Sequence, residues 1–225
     1  MTTQSVQSVW INRNTVLAAA VFAPRKDIRD YLNGVHLVGR EGSDYVRIEA
    51  TNGHGVIVAR SMLNEPLACD LDVIVPINAV DQAGKTIGKR HDMWLVTITR
   101  EDTTDGDDPV PQRVTISDVE GSSIVVNAVD GRFPDFARII RGALNPSGDT
   151  AQYDPTYLAM MQDASCIMRG EKRKVGKVYT NIRHNGEKAA LIEFGTEDAF
   201  GVLMSMRTAP YMGIPDWYST DVLAS

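Results

Sequence analysis

The segment Ala79-Val80-Asp81-Gln82-Ala83-Gly84-Lys85-Thr86 fits a relaxed phosphate-loop pattern and follows a strand-like run from Asp72 to Val75. In such a loop, backbone N–H groups wrap a nucleotide, the lysine reaches the terminal phosphates and the hydroxyl holds magnesium. Three features weigh against that chemistry: the first glycine position is alanine, the loop interior has no glycine, and residues 77–83 read as helix. A phosphate-loop nucleotide hydrolase is therefore the weaker alternative. The other reactive side chains are dispersed: His36, His54, His91 and His184 lie far apart. No Cys/His group has metal-ligand spacing, and no nucleophile sits in a recognisable elbow. The acidic run Glu101 to Asp108 lacks the glutamate that closes a calcium loop and reads as a solvated hairpin loop. The sequence points to a protein without catalytic residues, metal or cofactor, and not to an enzyme.

The composition is that of an ordinary globular chain. The chain has 225 residues, 43% hydrophobic and 23% charged, which suits one large or two small globular domains and excludes disordered and coiled-coil classes. No apolar run approaches the roughly 18 residues of a membrane helix, and Met1 to Trp10 lacks the charged-then-apolar pattern of a signal peptide. No membrane partner and a cytoplasmic location are expected. Cys69 and Cys166 suit free thiols in a reducing compartment. A net charge of -6 argues against nucleic-acid binding through bulk positive charge but allows a local basic face.

The elements that would position any site come as three copies of one pattern. Val9 to Asn12, Val73 to Pro76 and Gln152 to Pro155 each run from a short strand into a helix start. The third copy is the clearest, with Asp154 as cap and Pro155 in the first turn, followed by Tyr157, Leu158, Met161, Ala164 and Met168. The first stripe is Val16, Leu17, Ala20 and Val21, ended by Pro24. The second is Ile77, Val80, Ala83 and Ile87, weakened by Gly84. Three alternating runs follow each helix: Gly34 to Val38, Tyr45 to Ala50 and Gly55 to Arg60; Trp94 to Arg100, Arg113 to Asp118 and Ser123 to Val129; Lys177 to Arg183, Ala189 to Phe194 and Phe200 to Met206. Each half-unit is thus strand, helix, three strands. One alone leaves a sheet face and edges bare, so half-units should pair into antiparallel sheets with helices on one face, an α+β class. Residues 1–140 form a complete pair, 141–150 a linker, 151–210 a half-domain without an obvious mate, and 211–225 a C-terminal extension.

Four stretches carry a resemblance: Asp27 to Val35 (DIRDYLNGV), Ala50 to His54 (ATNGH), Val73 to Pro76 (VIVP) and Val129 to Phe136 (VDGRFPDF). Their order and spacing resemble the bacterial DNA polymerase III beta sliding clamp, its middle domain followed by the second half of its last domain. Met204-Ser205-Met206-Arg207 is similar to the Met-Pro-Met-Arg with which such clamps end. The resemblance implies the DNA clamp fold and a processivity factor that encircles or wraps duplex DNA and tethers polymerase or repair partners. The family has six half-units and this chain reads as three, so a twelve-unit ring would take four copies. The alternative is a non-ring peptide-binding protein that competes with a host clamp.

The resemblance also implies sites. Clamps hold short apolar motifs of polymerase and clamp-loader partners in a groove whose positions match Leu32, Thr51, Gly53, His54, Val56, Pro134, Ile139, Val202, Met204 and Met206. Soft methionines in an apolar trough suit varied peptides. Without the resemblance, the same residues read as ordinary core. Gly55 stands where an arginine is common, and Ser205 replaces proline. Clamp helices line the hole, which makes Arg13, Arg25, Lys26, Lys85, Lys89, Arg90, Arg169, Lys172, Arg173, Lys174 and Lys177 candidate phosphate contacts. Their alternative role is to complement helix C-termini.

Overall fold

A computed structural model of the protein describes residues 3–87, 92–102, 112–145, 147–148, 150–171 and 180–206. Strand β1 (Thr3–Asn12) runs into helix α1 (Arg13–Ala20), followed by strands β2 (Gly34–Gly39), β3 (Tyr45–Thr51) and β4 (Gly55–Met62). The pattern repeats as β5 (Leu71–Pro76), α2 (Ile77–Thr86), β6 (Met93–Asp102), β7 (Arg113–Ser117) and β8 (Ser123–Asn127). Then come α3 (Ala137–Ala143), α4 (Pro155–Met168), β9 (Asn181–Arg183), β10 (Ala190–Glu193) and β11 (Ala199–Leu203). The architecture is α+β with antiparallel sheets, as the repeat implied.

The first two half-units exchange their leading strands. β1 pairs with β6 of the second, while β5 pairs with β2 of the first, and all pairings are antiparallel. The resulting orders are β1-β6-β7-β8 and β5-β2-β3-β4-β11-β10-β9. The exchange covers edges that each half-unit would otherwise leave open. One core spans both sheets and α1, α2 and α4, with Trp94, Phe22, Phe194 and Ile11 among its largest fully buried side chains. α1 packs against α2 on one side and α4 on the other, so the three helices stand in a row. Cys69 and Cys166 are free thiols. Among the described residues, no helix is long and apolar enough to cross a membrane.

The third half-unit departs from expectation in three ways. Its sheet has a mate after all: β11 pairs with β4, Val202 opposite Val56, extending the first half-unit's sheet to seven strands. Val56, Val58, Ala143, Ala189 and Val202 form a small apolar cluster over that seam, which explains why the two edges join. Residues 152–153 are not strand; the backbone oxygen of Gln152 instead accepts from the Met206 N–H at 2.8 Å. Finally, α3 occupies residues where no helix was expected, and its last turn takes the start of the expected linker. Asp135 Oδ1 accepts from the Ala137 N–H at its start, and fully buried Ala143 anchors its end. Short length and Gly142 hide its periodicity. Of the expected strand Lys177 to Arg183, the first three residues lie outside the described residues.

The helix starts follow local chemistry. Asn12 Oδ1 accepts from the Thr15 N–H at 3.1 Å, and Asp154 Oδ1 from the Thr156 N–H at 2.7 Å, each satisfying a donor that the helix leaves unpaired. α2 has no side-chain cap; its Ile77 N–H donates to the Asn33 oxygen across the sheet. A Cβ at Gly84 would come within 2.9 Å of Leu17 Cδ2, so the glycine that weakens α2 by propensity is what lets α1 approach it.

Candidate functional site

The cleft forms where β4 meets β11. Val56 and Val202, paired across the seam, are nearly fully buried and make its floor. A tight turn from Thr51 to Gly55 shapes one end. Thr51 Oγ1 donates to the Gly55 oxygen at 2.8 Å and accepts from the Gly53 N–H, while Asn52 Oδ1 accepts from the His54 and Gly55 N–H groups. Gly53 has φ of 87°, which an L side chain rarely adopts, and a Cβ there would lie 3.3 Å from Arg29 Nη2. The His54 ring stacks on Tyr157 of α4 at 5.2 Å, and its backbone oxygen accepts from the Met204 N–H at 2.9 Å. These contacts bring the third half-unit to the rim.

Leu32, buried in the 3-10 turn Asp30–Leu32, lines the opposite side with Tyr31 and Arg29. Arg29 is fixed rather than free: its backbone N–H, Nε and Nη2 all donate to the Asp27 carboxylate at 2.9 Å. Those bonds hold the Asp27 carboxyl down at about 2. Pro134, Phe136 and Ile139 close the third wall. The space enclosed is about 230 Å³. Its lining combines aliphatic and aromatic side chains with a few backbone groups, which suits an extended apolar peptide segment.

Of the ten groove residues expected, nine line this one cleft: Leu32, Thr51, Gly53, His54, Val56, Pro134, Ile139, Val202 and Met204. Met206 is not in the lining; it is half-exposed beyond the rim, tied to Gln152. Arg29, Tyr31 and Phe136 also contribute and were not expected, and Gly55, noted above for standing where an arginine is common, is in the lining too. Arg29, Tyr31 and Phe136 lie inside the matching stretches DIRDYLNGV and VDGRFPDF, so the signal for them was present.

Residues 10–135 match the family model for the DNA polymerase III beta subunit, central domain. The chain belongs to this family. Solved clamps share its fold. The DNA polymerase sliding clamp of Bacillus subtilis is 13% identical with a TM-score of 0.64, over 90% of this chain and 64% of that one. The DnaN sliding clamp of Pseudomonas aeruginosa bound to griselimycin is 16% identical with a TM-score of 0.62, over 89% and 65%. The Caulobacter crescentus sliding clamp is 16% identical with a TM-score of 0.61, over 92% and 68%. The chain thus spans slightly under two thirds of the length of the first two clamps. No curated protein matches by sequence.

The basic residues divide by environment. Arg13 Nη2 donates to the Gly84 oxygen at 3.1 Å in the last turn of α2, and its guanidinium stands 5.7 Å over the buried Trp94 ring. Arg25 makes a two-pronged pair with Asp81, at 3.1 and 3.0 Å. Arg169 donates to the Phe194 and Gly195 oxygens past the end of α4. Lys26 and Lys85 are exposed. Lys89, Arg90, Lys172, Arg173, Lys174 and Lys177 lie outside the described residues. Residues 77–86 are helix, so the backbone N–H groups a phosphate loop would aim at a nucleotide are largely spent within α2. β5 is antiparallel to β2, where a phosphate-loop sheet is parallel.

Proposed function

We propose that this chain is a clamp-like replication factor that tethers partner proteins by holding a short apolar segment of each in the cleft between β4 and β11, without catalysing a reaction. The observation that carries this reading is the convergence of nine residues, drawn from separate loops and both sides of the seam, on one apolar cleft. Fluorescence anisotropy with a labelled apolar peptide from a replicative polymerase tests it. Met204→Glu places a charge on the exposed rim and is expected to weaken binding at least about tenfold, since desolvating a carboxylate against the peptide is costly. Unchanged affinity in the folded variant would refute the assignment.

Duplex DNA is the second partner in this reading, held without regard to sequence by phosphate contacts from exposed cations such as Lys26 and Lys85. The row formed by α1, α2 and α4 supports it by offering one helical face. Closure around DNA takes further copies, four if three half-units per chain build a twelve-unit ring. A second reading is a peptide binder that competes with a host clamp, which needs the cleft but no ring. Light scattering with and without duplex DNA separates the two: oligomers and DNA-bound mass for the first, monomer throughout for the second.

A further inference from the structure

Beside the cleft wall lies a polar cluster to which no role has been assigned above, with His36 and Glu49 buried and Asp72 at the exposed edge of the sheet. His36 on β2 is buried, with Nδ1 3.2 Å from Glu49 Oε2 on β3 and Nε2 2.9 Å from Asp72 Oδ1 on β5. Glu49 is equally buried, and its other oxygen accepts from Arg47 Nε at 2.7 Å. A carboxylate oxygen within hydrogen-bonding distance of each ring nitrogen fixes the orientation of the ring within the sheet. The Glu49 and Asp72 carboxylates stand on opposite sides of the ring, and among the described residues no cluster could hold a metal ion.

One face of this fixed ring is used. Phe133 stacks on His36 with centroids 4.6 Å apart and planes 28° from parallel. Phe133 in turn meets Phe136 edge-on at 5.8 Å and 79°. Phe136 and Pro134 are cleft wall. The rest of the connection is held at its start, where the Val129 N–H donates to the Ile74 oxygen at 2.9 Å. Gly131, at φ of 126°, passes Tyr31 so closely that a Cβ would lie 3.1 Å from the Tyr31 Cβ.

We infer that His36 is a positioning residue for the cleft: clamped by Glu49 and Asp72, it seats Phe133 and so sets where Pro134 and Phe136 stand. The binding consequence rests on the peptide-groove reading, whereas the seating of the wall does not. Two variants in the full chain test it, His36→Gln, which removes the flat ring, and Phe133→Leu, which leaves the polar cluster intact. Hydrogen exchange over residues 129–136 is expected to quicken about tenfold or more in both, with α1 and β6 unchanged. Affinity for the labelled polymerase peptide is expected to fall about five- to tenfold in both, the size an aromatic stacking pair accounts for. The double variant should bind no worse than Phe133→Leu alone, because His36 acts through Phe133. Additive losses would assign His36 to general stability and overturn the inference. Unaltered exchange over 129–136 would overturn it whether or not peptide binds, while exchange that quickens in a chain that binds no peptide would sink the groove reading alone.

Discussion

A Cβ added at Gly55 would sit 2.6 Å from Phe22 Cε1 and 3.3 Å from Met161 Cε. The position where clamps commonly carry arginine is therefore closed by core atoms, and Phe22 has no exposed surface into which to retreat. Gly55→Ala is expected to cost about 1–3 kcal/mol in a denaturant melt, the usual range for overpacking, and Gly55→Arg to prevent folding. At the rim, Asp27 titrates in the folded chain at about 2 against an ordinary 3.8, chiefly because Arg29 donates to it. A depressed carboxylate pKa means that its stabilisation is present above about pH 4 and is lost as pH falls toward 2. Carboxyl-resolved NMR titration should place the Asp27 midpoint near 2. Asp27→Asn should remove this residue's share of the acid loss and release Arg29 from the cleft wall.

Helix α4 ties the third half-unit to the rest, and its start depends on one side chain. Asp154 Oδ1 takes the Thr156 N–H, and Pro155 occupies the first turn, where a missing donor costs nothing. Asp154→Ala is expected to lower stability by about 1 kcal/mol, read as a shifted midpoint at unchanged denaturant slope. The helix's grip on the seam lies further along. A Cβ at Gly201 on β11 would meet Met161 Sδ at 2.5 Å, and the same Met161 closes the space over Gly55 on β4. One flexible thioether thus fills two glycine gaps on either side of the joint. Helix, seam and cleft floor are therefore one packing unit, with Val56 and Val202 directly paired within it.

Across the molecule, a net charge of -6 would repel DNA unless cations gather locally. Arg13, Arg25 and Arg169 are held by carbonyls or a carboxylate, whereas Lys26 and Lys85 are exposed. The proposed phosphate contacts predict that duplex affinity falls linearly with the logarithm of salt concentration. Replacing Lys26 and Lys85 with glutamate should reduce that slope by roughly 2, about one per lost phosphate contact. A closed assembly should also stay longer on circular than on linear duplex, since a ring can slide off an end; equal retention on both would exclude encirclement.

Local sequence determined the helix and three-strand order of each half-unit, and the leading strand of the first two, because alternation and capping are properties of a few neighbouring residues. Asp154 with Pro155, and the runs at β2, β3 and β4, were legible for that reason. Most of the cleft was legible too, though only through the matching stretches; the side chains themselves read equally well as core. What the tertiary structure alone decided is which edges meet. The exchange of β1 and β5, the pairing of β11 with β4, and the seating of Phe133 on His36 all join residues far apart in the chain. No short window encodes such contacts, since each depends on shapes that exist only once both partners have folded.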